Sequence, residues 1–250
     1  MNATGVVAQY RRRVRVATDL MVHEREALYS GRVVVGIDEV GRGALAGPLC
    51  VGAVVLESDV EPPAGLDDSK ALSAAQRDAL VDPLAEWVAA WSLGWASAQE
   101  IDWWGLRVAL AVAANRALGN LAVRPNFCLV DGAVNLLRAP LDQIFEAPPA
   151  PALFYTTLDC RPVVRGDAAC ASIAAASVLA KVSRDRAMVD LDASHPAYGW
   201  RRNKGYGAPE HLAALRRFGP TALHRRSWHL PEPDGPAGRT RAPQGFGAEG

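Results

Sequence analysis

The polarity of the chain changes period several times, and each change marks an element. Residues 19–31 (DLMVHEREALYSG) carry a helical pattern that stops at Gly31, which predicts a helix. Residues 33–38 and 49–56 (LCVGAVVL) are short, β-branched apolar runs separated by Gly and Pro, which predicts neighbouring strands of one sheet. Ser73 followed by Gln76, and Ser97 followed by Glu100, each show the reciprocal capping pattern that opens a helix. The second introduces a long apolar-periodic run, IDWWGLRVALAVAANRALGN, read as one helix, and a strand through WSLGWAS lies between the two caps. NFCLVDG, residues 126–132, predicts a strand ending in Asp131; residues 139–151, rich in Pro and Ala, a loop; residues 153–164, another strand. Residues 166–193 are built largely of Ala and predict a long helix whose small side chains permit close approach to the sheet. PEHLAALRRFG, residues 209–219, predicts a short basic helix with Pro209 at its start and Gly219 at its end.

Strands interspersed with helices in this order imply a mixed sheet with helices packed on it, an α/β or α+β layer structure. The 250 residues suffice for one cored domain with a small appendage. From Pro231 onward Pro, Gly and polar residues dominate, so the tail is expected to be disordered. Half of the residues are hydrophobic and 22% charged, an ordinary globular balance. The sequence has no uninterrupted apolar window of about 18 residues and no signal-peptide core, so a cytoplasmic protein without a membrane partner is expected. Cys50, Cys128, Cys160 and Cys170 form no C-x-x-C pair, which argues for reduced thiols rather than a zinc site or a disulfide framework.

Charge alters this picture. The formal net charge is zero, yet residues 181–229 hold ten Lys and Arg against four Asp and Glu, while residues 1–180 hold fifteen against twenty. A basic C-terminal segment beside an acidic body suits a phosphate-binding surface next to a carboxylate cluster.

The acidic side has a focus in GIDEVGRGALAGP, where Asp38 and Glu39 close an apolar strand and a glycine turn follows. A dinucleotide-binding loop is a poor match: its third glycine comes one place late, a β-rich run follows instead of a helix, and the two carboxylates would repel a pyrophosphate. A hard cation suits them better, since Mg²⁺ takes carboxylates, water and phosphate rather than His or Cys. Adjacent side chains of a strand point to opposite faces, so Asp38 and Glu39 share an ion only if the strand ends or bends near Val40 and Gly41. Asp131 and Asp185 are candidates to join them. Taken singly, Asp131 also reads as a turn or cap aspartate and Asp185 as an i, i+4 partner of Lys181.

GIDEVGRGALAGP, DDSKALS, LVDG, SIAAASVLAKVSRD, NKGYGAPEH and HRRSW resemble, in this order, the motifs of the ribonuclease HII (type 2 ribonuclease H) family over about residues 33–228. The resemblance implies a ribonuclease H-like mixed five-stranded sheet flanked by helices. It divides the chain into an N-terminal extension and helix (1–30), a catalytic domain (31–193), a short helical substrate-binding segment (194–229) and the tail (230–250). It also implies a Mg²⁺- or Mn²⁺-dependent endonuclease, acting as a monomer, that cuts the RNA strand of RNA·DNA hybrids. Cleavage 5′ of a single ribonucleotide in duplex DNA, leaving a 3′-hydroxyl, belongs to the same implication. Carried across by motif, the metal ligands are Asp38, Glu39, Asp131 and Asp185. Gly41, Arg42 and Gly43 then read the ribose, and Tyr206 packs on a deoxyribose at the RNA–DNA junction. Lys70, Lys204, Arg225 and Arg226 become phosphate contacts, which position a duplex without reading its sequence. Glycine suits the first of these tasks, because backbone groups without a Cβ approach closely and a 2′-hydroxyl both donates and accepts. Ala208 stands where many members have Thr, and Trp228 where Phe is more usual.

Overall fold

The computed structural model describes residues 19–139 and 152–234. The expected tail therefore lies largely outside the described residues, as does most of the 139–151 loop. Five strands, β1 (Val34–Val40), β2 (Leu49–Leu56), β3 (Ala90–Ala96), β4 (Phe127–Asp131) and β5 (Asp159–Val163), form one sheet in the order β3-β2-β1-β4-β5. β1 pairs antiparallel with β2, and β2 with β3, whereas β1–β4 and β4–β5 are parallel. The helices are α1 (Val22–Tyr29), α2 (Ala74–Trp87), α3 (Ala98–Gly119), α4 (Ala171–Ser194), α5 (Trp200–Asn203) and α6 (Pro209–Phe218).

Strand alternation sorts the core into two layers. Val35, Ile37, Val51, Ala53 and Val55 face α3 through Ala109, Ala113 and Ala117. Val54 and Leu56 face α2 and α4 through Leu80, Leu84, Ala175 and Val178. Every residue of β2 is buried because it is covered on both faces. α4 sits unusually close to the sheet: a Cβ at Gly36 would stand 2.4 Å from the Ser172 backbone, and one at Gly52 2.5 Å from Ala176 O. Small residues on helix and strand together bring the cleft-facing stripe of α4 over the end of β1.

Both capping boxes form as their spacing predicts, Ser73 with Gln76 and Ser97 with Glu100. Three expectations shift. α3 is broken at Gly105, whose φ of 73° and ψ of 161° interrupt the helix after about two turns. The strand expected over 153–164 shrinks to Asp159–Val163, since only that stretch meets β4. The helix expected from 166 starts at Ala171, after a 3₁₀ turn at Gly166–Ala168. All four cysteines are free thiols. Among the described residues, no helix is long and apolar enough to cross a membrane.

Candidate active site

The parallel ladder between β1 and β4 ends at Ile37 beside Val130, but β1 continues against β2 to Val40 beside Cys50. Asp38 and Glu39 therefore lie inside the strand rather than after it, with β2 on one flank and the other flank opening where β4 stops. That opening lets both line one cleft of about 360 Å³, together with Asp131, Lys70, Ser177 and Tyr206. Crevices at the C-terminal ends of parallel strands are where open α/β sheets bind ligands.

Asp38 is 5% exposed, and its Oδ1 accepts the Glu39 N–H at 2.8 Å. Burial raises its pKa to about 7, with the charges of Glu39 and Asp131 adding to the effect and the Ser177 hydroxyl opposing it. Burial also raises Glu39, against the nearby Arg42 guanidinium at 3.4 Å. Asp131 Oδ1 accepts the Gly166 N–H at 2.7 Å, which ties the end of β4 to the turn after β5.

That turn carries a carboxylate the sequence reading passed over. Asp167 is 6% exposed, and its Oδ2 takes Lys70 Nζ at 2.7 Å. It follows β5 as Asp131 ends β4, so the C-terminal ends of all three parallel strands supply acid. The signal was present in VVRGD: an aspartate just past a short strand, the same context that singled out Asp131.

Asp185 is not part of this group. It lines a neighbouring hollow with Arg77, Asp78 and Lys204, and its Oδ1 pairs with Lys181 Nζ at 2.7 Å. Ser177, Lys181 and Asp185 follow one another at i+4 along α4, so Asp185 lies about 12 Å along the axis from Ser177, the residue that meets Asp38. The helical partner reading of Asp185 describes what the fold does with it.

The glycine turn divides its labour. Gly41 has φ 85°, and a Cβ there would lie 2.1 Å from Arg184 Nε, so both conformation and space demand glycine. At Gly43 nothing stands within 4 Å of such an atom. Tyr206 reaches the cleft from the segment before α6, with the Arg184 guanidinium 5.4 Å from its ring centroid.

The four expected basic contacts part company. Lys70 lines the cleft but is paired with Asp167, while Arg226 is exposed, its backbone N–H held by Asp102 Oδ2 at 2.9 Å. Lys204 adopts φ 52° beside the Asp185 hollow, with Nζ on Arg201 O. Arg225 has the opposite placement from a phosphate contact: it is fully buried and donates to the carbonyls of Arg42 at 2.8 Å, Gly41 at 2.6 Å and Gly47 at 3.3 Å. Burial, reinforced by the like charge of Arg184, lowers its pKa to about 9. A basic residue in a basic motif reads as surface, and only the tertiary fold reveals that it lies beneath the turn.

A buried polar cluster anchors Tyr206. His211 Nδ1 contacts Tyr206 O at 2.8 Å, and His211 Nε2 contacts Trp200 Nε1 at 3.2 Å and His224 Nε2 at 3.1 Å. The consistent assignment has His211 donating from Nδ1 to the carbonyl and accepting at Nε2 from both neighbours. Burial lowers the pKa of both imidazoles, that of His224 to about 3, which keeps the pair neutral.

As a donor set, buried carboxylates and hydroxyls without His or Cys suit a hard divalent cation. The elevated pKa of Asp38 records first its burial and then the negative charge of Glu39 and Asp131, both of which such an ion would offset. Among the described residues no three His, Cys, Asp or Glu side chains close on one point as ligands, and Lys70 and the Gly166 N–H meanwhile take oxygens of Asp167 and Asp131.

A mixed five-stranded sheet flanked by helices, with acids at the ends of its parallel strands, defines a ribonuclease H-like nuclease. Solved structures agree: the chain superposes on ribonuclease H2 from Pyrococcus horikoshii OT3 with a TM-score of 0.59 at 25% identity, covering 79% of this chain and 94% of that one. The fold is shared at 22% identity with the ribonuclease HII of the PCNA complex from Archaeoglobus fulgidus, TM-score 0.57, over 81% of this chain and 98% of that one. The chain belongs to the ribonuclease HII family, whose model matches residues 35–230. It is 46% identical over 207 residues to the ribonuclease HII of Cereibacter sphaeroides, covering 82% of this chain and 89% of the relative. Against that of Streptomyces coelicolor it is 43% identical over 202 residues, 81% and 79% of the two chains. Membership makes it an endoribonuclease of RNA·DNA hybrids.

Proposed function

We propose that this chain nicks duplex DNA on the 5′ side of a single embedded ribonucleotide, in addition to cutting longer hybrids, and leaves a 3′-hydroxyl and a 5′-phosphate. Asp38, Glu39, Asp131 and Asp167 would hold divalent cations, and Asp167 replaces Asp185 in that role because it follows β5 and sits against the cleft through Lys70. Mg²⁺ or Mn²⁺ bound there supplies activation of the attacking water and relief of charge on the leaving oxygen.

The chain's own residues do the rest. The Gly41–Gly43 turn meets the ribose, with Gly43 leaving room for a sugar to approach the backbone. Tyr206 offers a ring face to the neighbouring deoxyribose, where a 2′-hydroxyl would intrude. Arg42 and Arg226 are exposed and suit phosphates. The single observation that carries the reading is the convergence of Asp38, Glu39, Asp131, the glycine turn and Tyr206 on one cleft.

The test is cleavage of a labelled duplex with one ribonucleotide beside an all-DNA control, with Mg²⁺, with Mn²⁺ and with EDTA. A metal-dependent nick 5′ of the ribonucleotide is expected. Binding without a nick under either metal would replace the reading with a hybrid-binding protein.

A further inference from the structure

Two arginines that do not face the cleft lie beneath it. Arg184 and Arg225 are both fully buried, and among the described residues neither forms an ion pair with a carboxylate. Their hydrogen bonds go to main-chain carbonyls, with Nε of Arg225 buried and without a hydrogen-bond partner among the described residues. Arg184 donates to Pro48 O at 2.8 Å, Lys204 O at 3.0 Å and Ala46 O at 3.3 Å. Arg225 donates to the carbonyls of Gly41, Arg42 and Gly47, and its guanidinium lies 5.0 Å from the centroid of the Trp228 ring.

The direction of these bonds has a chemical consequence. In a trans peptide the C=O and the following N–H point opposite ways. With the Gly41 and Arg42 carbonyls drawn down onto Arg225, the N–H groups of Arg42 and Gly43 are turned away from it, and among the described residues no acceptor takes them. Reversing either peptide would present a carbonyl instead and break a charge-assisted bond.

Arg184 extends the same control to the second reading element. It bonds the carbonyl of Lys204, lies against the Tyr206 ring, and grips the strand of chain that follows the turn. Gly205 completes this junction: its carbonyl accepts the N–H groups of Leu45 at 2.8 Å and Ala46 at 3.2 Å. A Cβ on Gly205 would stand 2.4 Å from Ala46 O, so the two segments meet backbone to backbone.

We propose that Arg184 and Arg225 are positioning residues that fix the peptide orientation of the Gly41–Gly43 turn and its spacing from Tyr206, and that selection of a lone ribonucleotide depends on them. The inference rests on the function proposed above. Lysine is a poor substitute at either position, since a single ammonium cannot span three carbonyls in the planar arrangement of a guanidinium.

The experiment compares Arg184→Gln, Arg225→Gln and the corresponding Lys variants with the wild type on two substrates, a duplex with one ribonucleotide and a continuous RNA·DNA hybrid. Steady-state kcat and KM are measured on each, together with the rise in unfolding midpoint on adding Mn²⁺. The expected result is a fall in kcat of about 10–100-fold on the single ribonucleotide, the penalty of an ångström-scale misplacement. KM and the Mn²⁺ response stay near wild type, and the loss on the hybrid is several-fold smaller. Should a Gln variant not fold, its Lys variant carries the comparison. Activity that merely tracks the folded fraction, with the substrate ratio unchanged, overturns the inference and leaves the function standing. A wild-type chain that cuts neither substrate removes both.

Discussion

Asp38→Asn should make the metal-free protein more stable while destroying its activity. A carboxyl held near 7 in the fold against an ordinary 3.8 binds more protons folded than unfolded across that interval. Stability contributed by this group is present in full below 3.8, declines as pH rises, and is lost above about 7. The deficit is then about 4 kcal/mol, at roughly 1.4 kcal/mol per pH unit. Asparagine removes the charge yet keeps an oxygen to accept the Glu39 N–H. Urea unfolding in EDTA should show the variant about 2–4 kcal/mol more stable than wild type at pH 8, with the gap closing as pH approaches 4. Mn²⁺ should stabilise the wild type at pH 8 and the variant far less, and cleavage by the variant should be undetectable. A variant no more stable than wild type at pH 8, or a gap that does not open between pH 4 and 7, would refute the picture of crowded, desolvated carboxylates; full Mg²⁺-dependent cleavage would refute the metal assignment.

The two glycines of the turn should separate folding from function. Gly41→Ala places a methyl against the Arg184 guanidinium at positive φ and should cost about 2 kcal/mol or more in urea, whereas Gly43→Ala should stay within about 0.5 kcal/mol and still lose at least tenfold in cleavage. The reverse pattern would sink the division of labour. Glu24, buried in α1, accepts the Ser172 N–H at 2.9 Å and its hydroxyl at 2.7 Å, and so serves the start of α4, where Cys170 provides no side-chain cap. Glu24→Ala should destabilise by about 1–2 kcal/mol in the same unfolding assay while leaving cleavage per folded molecule unchanged, and an unaltered unfolding midpoint would show that this contact caps nothing.

Local signals proved readable where local physics decides. Both serine caps name helix starts to the residue, and the apolar runs of β1, β2 and β4 are visible because strands buried on both faces leave no polar gaps. Gly105 was invisible within an otherwise helical pattern, since a single glycine is tolerated in a helix and only its φ tells otherwise. The carboxylates within the last residues of β1 and at the end of β4 stood out because an acid directly following a buried apolar run is costly to desolvate. Asp167 and Asp185 show the limit: both lie near a motif, and which one sits beside the cleft, paired with its lysine, is set by sheet order and helical rise, quantities absent from any short window. Arg225 was misjudged for the same reason, its surroundings being supplied by a turn far away in the chain.

That separation bears on how the enzyme comes into being. Arg225 supports Gly41 from 184 positions further along the chain, so synthesis delivers the turn long before its brace. A nascent or prematurely terminated polypeptide would carry the acids of β1, β4 and β5 without the strut that aims the turn beside them. On the roles proposed above, a chain not yet extended through Arg225 would resemble a lock lacking one pin: its acids would be ready for metal while its turn lacked the support by which it would choose a substrate.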